Sequence, residues 1–161
     1  VRDRAIVEVL RSTGARVGEL VEINREDINW QTGDILILGE KSGRYRTIYL
    51  DEPARYYLRK YISERRDNEE ALFVACRAPH SRMQSSGIRA ILKTIAKRVG
   101  MQCRVYPHKM RKTLGMNLKN SGIDIGTIQE VLGHASPAVT SRYYAESTPD
   151  TLRSVRRRAA A

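Results

Sequence analysis

Four short stretches hold residues whose types and spacing could act on a phosphate. In Pro107-His108-Lys109-Met110-Arg111, the histidine and the arginine lie three apart, so on a helix they share a face and can reach one anion together. In Thr13-Gly14-Ala15-Arg16-Val17-Gly18-Glu19-Leu20, Arg16 follows a Thr-Gly break at the predicted start of a helix, where backbone donors also favour anions. Glu19, three residues on, can hold that guanidinium in one orientation. Between two predicted strands, Gly39-Glu40-Lys41-Ser42-Gly43-Arg44-Tyr45-Arg46 makes a hairpin tip able to lay a cation into a groove of DNA. Finally, Leu132-Gly133-His134 leads through Ser136-Pro137 to Tyr143 and Tyr144, a histidine and two phenols around a turn. Each group has an ordinary structural counterpart. A helical salt bridge contributes a few tenths of a kcal/mol, an edge lysine discourages aggregation, and a tyrosine fills a core. Taken singly, none of the four outweighs that reading.

A metal reading is weaker. Cys76 with His80 and Cys103 with His108 give two Cys/His pairs, but their spacings are unlike common zinc knuckles. No carboxylate cluster suits two-metal phosphoryl chemistry, and no glycine-rich nucleotide loop is present. The sequence therefore predicts no metal and no cofactor.

Composition favours a polyanionic partner. The 161 residues carry 29 Lys and Arg against 18 Asp and Glu, a net charge of +11, which releases counterions from phosphates on binding. With 41% apolar and 29% charged residues the chain reads as globular, of a length for one domain. No apolar run approaches a membrane span. Two cysteines give no disulfide framework. These features point to a cytoplasmic, DNA-associated protein with no membrane partner.

Periodicity predicts the elements that must position these groups. A helix over Arg2–Ser12 carries Ala5, Ile6, Val9 and Leu10 on one stripe, and a short one follows with Val17, Leu20, Val21 and Ile23 as its apolar side. Residues 34–38 and 46–50 read as a hairpin, and Pro53 opens a helix. Ala71-Leu72-Phe73-Val74 reads as a third strand. Ser86 caps a helix running through Arg98, with Gly100 beyond its end. Pro107 opens the helix bearing His108, and Ser121-Gly122 closes it. Asp124 caps the next, which ends at Gly133; Pro137 and Thr148-Pro149 open two more. The expected fold is mainly α with a small three-stranded antiparallel β-sheet.

The order of the four stretches is more specific than any one of them. TGARVGEL, EKSGRYRTIYL, HKMR and LGHASPAVTSRYY together resemble the tyrosine recombinase (phage integrase) family over nearly the whole chain. The resemblance implies the family's catalytic-domain fold over residues 1–161, with a core-binding domain upstream of Val1. It implies catalytic roles for Arg16, Lys41, His108, Arg111 and His134. The nucleophile is Tyr143 rather than Tyr144, because the family places it nine residues after the LGH histidine. Glu19 supports Arg16; Arg44, Arg46, Lys109 and Lys112 are the expected DNA-binding cations. Lys112 stands where the family often has histidine, and the hairpin departs from the commoner GKGxKxR.

The implied function is site-specific recombination of double-stranded DNA through a 3′-phosphotyrosine link, by a homo-tetramer, without metal or ATP. DNA relaxation by the same chemistry, and a non-catalytic basic DNA-binding module, are the alternatives. The residue types suit the chemistry. Guanidiniums stay protonated and donate paired hydrogen bonds to phosphate oxygens. A phenol with a pKa of about 10 is phenolate in only about one molecule in a thousand at neutral pH, so it needs a neighbouring base or strong positive potential.

Overall fold

The structure, a computed structural model, describes residues 1–133. Helix α1 (Arg2–Thr13) runs centrally because Ala5, Ile6, Val9 and Leu10 make one fully buried stripe, packed against the helices at residues 52–64 and 107–120. Ile6, Val9 and Leu10 each contribute roughly 1.5–3 kcal/mol on burial, and the single methyl of Ala5 less. Two acid–base contacts finish its polar side: Glu8 is buried, and Arg4 at 2.6 Å and Arg11 at 2.7 Å pair with it. Gly14 ends the helix at φ 59°, a left-handed conformation that costs a side chain more than it costs glycine.

Helix α2 (Val17–Glu22) and a single 3₁₀ turn (Arg25–Asp27) lead into β1 (Asp34–Leu38) and β2 (Tyr45–Tyr49). These pair antiparallel, with Asp34 opposite Tyr49 and Leu38 opposite Tyr45. Asp51 then caps α3 (Glu52–Glu64) by accepting from the Ala54 amide at 3.0 Å. Helix α4 (Ser85–Arg98) buries Ile88, Leu92 and Ala96, one residue per turn. Its N-cap is Gln84, so Ser86 lies inside the first turn and does not cap it. Pro107 opens α5 (Pro107–Asn120), where its missing N–H costs nothing. Asp124 caps α6 (Ile125–Leu132) through the Thr127 amide at 2.9 Å and its hydroxyl at 2.7 Å. Ile128 and Leu132 of α6 bury themselves against Leu114, Met116 and Leu118 of α5.

The expected third strand is absent among the described residues, where the sheet has two strands. Residues 71–74 are buried as their apolar character requires, but their backbone groups go to scattered partners. Leu72 donates to the Ile23 carbonyl at 2.8 Å, Met83 donates to that of Phe73 at 2.9 Å, and Val74 donates to the Tyr61 hydroxyl at 3.2 Å. One Arg65 nitrogen takes the carbonyls of Ala71 and Leu72 at 2.6 and 3.1 Å. An arginine fork thus replaces the ladder, leaving only isolated bridges from Ala71 to Asn24 and from Val74 to Arg82. The predicted helices after Pro137 and Pro149 lie outside the described residues.

A candidate phosphoryl-transfer site

The elements converge on the turn at Gly14. Arg16, extended at φ −68° and ψ 149°, caps α2, and its backbone amide donates to Glu19 Oε2 at 2.7 Å. Its Nη1 donates to Glu19 Oε1 at 3.2 Å. The Glu19 side chain is fully buried whereas that of Arg16 is 20% exposed, so the carboxylate fixes one edge of a guanidinium that still faces solvent.

Arg111 reaches the same turn from α5. It is 3% exposed. Its Nη1 donates to the Gly14 carbonyl at 2.6 Å, and its Nη2 donates to the carbonyl of Leu132 at the end of α6. Two fixed acceptors set the plane of its fork. Gly14 thus serves twice: its carbonyl holds Arg111, and its missing side chain lets α5 and α6 close in. A Cβ there would meet Leu114 Cδ2 at 2.9 Å and Leu132 Cδ2 at 3.1 Å. Gly14→Ala is expected to cost about 1–3 kcal/mol from backbone strain alone, with further loss from the clash, read as a lower midpoint in urea denaturation.

His108 lies one residue into α5, on the same side as Arg111. Its pKa is pushed below the ordinary histidine value, first by partial withdrawal from water and then by the charges of Arg111, Arg16, Lys112 and Lys41. Lys41 itself is exposed at the hairpin tip. A depressed pKa keeps the imidazole neutral and able to accept a proton at neutral pH. The hairpin is seated against α2 at Gly18, where an added Cβ would stand 2.6 Å from Glu40 Oε2.

Arg46 behaves unlike its hairpin neighbours. Arg44 is exposed at the turn, whereas the Arg46 side chain is 12% exposed and its Nη2 donates to Glu19 Oε2 at 2.8 Å. Its Nη1 donates to the Val131 carbonyl at 3.1 Å. Burial pushes its pKa down, opposed by the charge and hydrogen bond of Glu19. Arg46 is therefore part of the site's buried framework, a role that considering only its charge had missed. The available signal was alternation: Arg46, Ile48 and Leu50 recur every second residue, and Ile48 and Leu50 are core.

Lys109 is half-buried on α5, and Lys112 is exposed one position after Arg111. His134, Tyr143 and Tyr144 lie outside the described residues. Cys76 and Cys103 are exposed, and His80 Nδ1 is 3.0 Å from the Ala75 carbonyl oxygen. Among the described residues no three His, Cys, Asp or Glu side chains gather as a metal site requires, and no helix is long and apolar enough to cross a membrane.

A helical scaffold carrying one small antiparallel hairpin defines a class of fold, and known proteins share it. The chain belongs to the phage integrase family, whose model matches residues 1–149. It is 37% identical over 144 residues to the tyrosine recombinase XerA of Pyrococcus furiosus, covering 89% of this chain and 50% of that protein. To the tyrosine recombinase XerC of Staphylococcus saprophyticus it is 33% identical over 159 residues, covering 96% and 52% respectively. The chain thus spans about half the length of these curated relatives. A crystal structure of XerA recombinase superposes with a TM-score of 0.85 at 31% identity, over 99% of this chain and 58% of that one. The XerH site-specific recombinase bound to palindromic difH substrate shares the fold, with a TM-score of 0.79 at 24% identity over 96% and 44% of the two chains.

Proposed function

We propose that residues 1–161 form the catalytic domain of a site-specific DNA recombinase that cuts and rejoins DNA through a 3′-phosphotyrosine intermediate. The observation that carries this reading is that two guanidiniums meet at the turn of Gly14: Arg16, two residues beyond it and held by Glu19, and Arg111, bonded to its carbonyl, with His108 three residues earlier on the same helix. Double-stranded DNA is the substrate, and the net charge of +11 supports a phosphate-rich partner. The related XerH recombinase bound to its difH substrate supports it too.

In this reading Arg16 and Arg111 donate to the non-bridging oxygens of the scissile phosphate and stabilise the charge that grows there. His108 accepts the phenolic proton as the Tyr143 oxygen attacks phosphorus, and His134 donates a hydrogen bond to the phosphate. The bond from phosphorus to the 5′ oxygen breaks, and Lys41 gives that oxygen its proton. The phosphate is then a 3′ ester of Tyr143, opposite a free 5′ hydroxyl. A 5′ hydroxyl from a second strand reverses the step, so exchange requires neither metal nor ATP. Exchange between two duplexes needs four such sites, which makes a homo-tetramer on DNA part of the proposal. Arg44, Lys109 and Lys112 are positioning contacts to the DNA backbone.

A nicked suicide duplex, which loses its 5′ end after cleavage, is expected to trap a covalent complex. Lys41→Ala should slow its formation by about 10²–10⁴-fold, the usual worth of a general acid. A substrate with sulfur at the 5′ bridging position, whose thiolate leaves without a proton, should restore most of that rate. Equal defects on the oxygen and sulfur substrates would remove Lys41 from the acid role.

A further inference from the structure

The buried carboxylate of Glu19 meets two guanidiniums, not one. Its Oε1 accepts from Arg16 Nη1 at 3.2 Å, while its Oε2 accepts the Arg16 amide at 2.7 Å and Arg46 Nη2 at 2.8 Å. The other arm of Arg46 holds the Val131 carbonyl at 3.1 Å. That carbonyl lies in the last turn of α6, next to Leu132, whose own carbonyl takes Arg111. Arg46 also lies directly against the end of α6: a Cβ on Gly133, which closes the helix at φ 63°, would stand 2.4 Å from its Cδ and Nε. One side chain on β2 therefore ties three parts of the site together: the hairpin with Lys41, the carboxylate that orients Arg16, and the helix end that anchors Arg111 and precedes His134.

Charge makes the same point. Two guanidiniums and one carboxylate leave the trio with a net positive charge, which a phosphate would balance. Without Arg46, Glu19 would have Arg16 as its only cationic partner among these residues, and its Oε2 would lose one of its two donors. Arg16 would then be drawn toward the carboxylate and away from a phosphate. The C-terminal carbonyl of α6 would also lose a charged donor within a nearly buried setting.

Resting on the recombinase reading above, we infer that Arg46 is a positioning residue for cleavage: it acts through Glu19 and Val131 on the arginines and does not itself contact the phosphate. The inference separates it from Arg44, its exposed neighbour two residues earlier. It also predicts that an ammonium replaces this guanidinium only in part, since only a planar fork can satisfy a carboxylate and a carbonyl on diverging arms.

The test uses the full chain on the suicide duplex. Wild type, Arg46→Met, Arg46→Lys, Glu19→Gln and the Glu19→Gln/Arg46→Met pair are compared at saturating DNA, well below each variant's melting temperature. Arg46→Met is expected to slow covalent cleavage about a hundredfold, the scale of a small misplacement of reacting groups, with DNA affinity within about threefold of wild type. Arg46→Lys, able to make one of the two bonds, should fall between, and it carries the test if Arg46→Met does not fold. The double variant should be no slower than the slower single one, because both changes act on one unit. Cleavage by the Arg46 variants at the wild-type rate would overturn the inference. So would a loss of DNA affinity matching the loss of rate, or singles whose effects multiply in the pair. A wild-type chain that forms no adduct would instead overturn the recombinase reading on which this rests.

Discussion

Tyr143→Phe is expected to abolish the covalent complex with suicide DNA while leaving DNA binding within about threefold of wild type. The change removes one oxygen, and that oxygen is the atom that would join phosphorus. On a helix, Tyr143 and Tyr144 point about 100° apart, so a site built for one phenol presents the other elsewhere. Tyr144→Phe should therefore cleave near the wild-type rate. In the proposed reading phosphate binding would rest on the arginines and the surrounding cations, so affinity should survive. Gel separation of denatured protein–DNA adducts, beside a binding titration of the same variants, reads both quantities.

Arg111→Ala is expected to do two kinds of damage. The first is to the fold: the Gly14 and Leu132 carbonyls lose the donors that hold α1, α5 and α6 at one point. Each buried acceptor left unsatisfied costs about 1–3 kcal/mol, so the urea midpoint should fall clearly. The second is to the reaction, where loss of a preorganised donor to the developing charge typically costs about 10²–10³-fold in rate. Arg111→Lys separates the two. An ammonium keeps the charge but cannot hold two carbonyls in one plane, so it should recover part of the stability and little of the rate. Measuring the midpoint and the cleavage rate on the same preparations distinguishes a broken fold from a broken site.

Much of this arrangement was legible in the sequence because it is local. The three-residue spacing of Arg16 and Glu19 predicted the observed ion pair, and that of His108 and Arg111 predicted a shared helical face. Asp124, Pro107 and Gly133 marked helix ends that the structure has. The failures are of another kind. Residues 71–74 are apolar for the same reason a central strand is, yet their carbonyls go to Arg65, a partner that hydrophobic patterning cannot reveal. The contact from Arg111 to the Gly14 carbonyl spans 97 positions, and no local pattern encodes it. Arg46 lies between these cases: its inward alternation was visible, but its partners, Glu19 and Val131, come from distant segments.

Such long-range contacts show why the four stretches are weak singly and strong in order. Each supplies one group, and the fold supplies the distance. Glu19 matters because Arg16 and Arg46 both reach it, and Gly14 matters because Arg111 needs its carbonyl and α6 needs its empty side. The hairpin packs against Gly18 through Glu40 and against Gly133 through Arg46, and in the proposed reading its tip would bring Lys41 to the leaving oxygen.

The most direct test of this account is to trap the wild-type chain on suicide DNA, digest the complex, and locate the attached nucleotide by mass spectrometry. The account predicts one modified peptide, carrying a 3′-linked nucleotide on Tyr143. Attachment at Tyr144 or at any other residue, a 5′ linkage, or cleavage with no protein attached would contradict it.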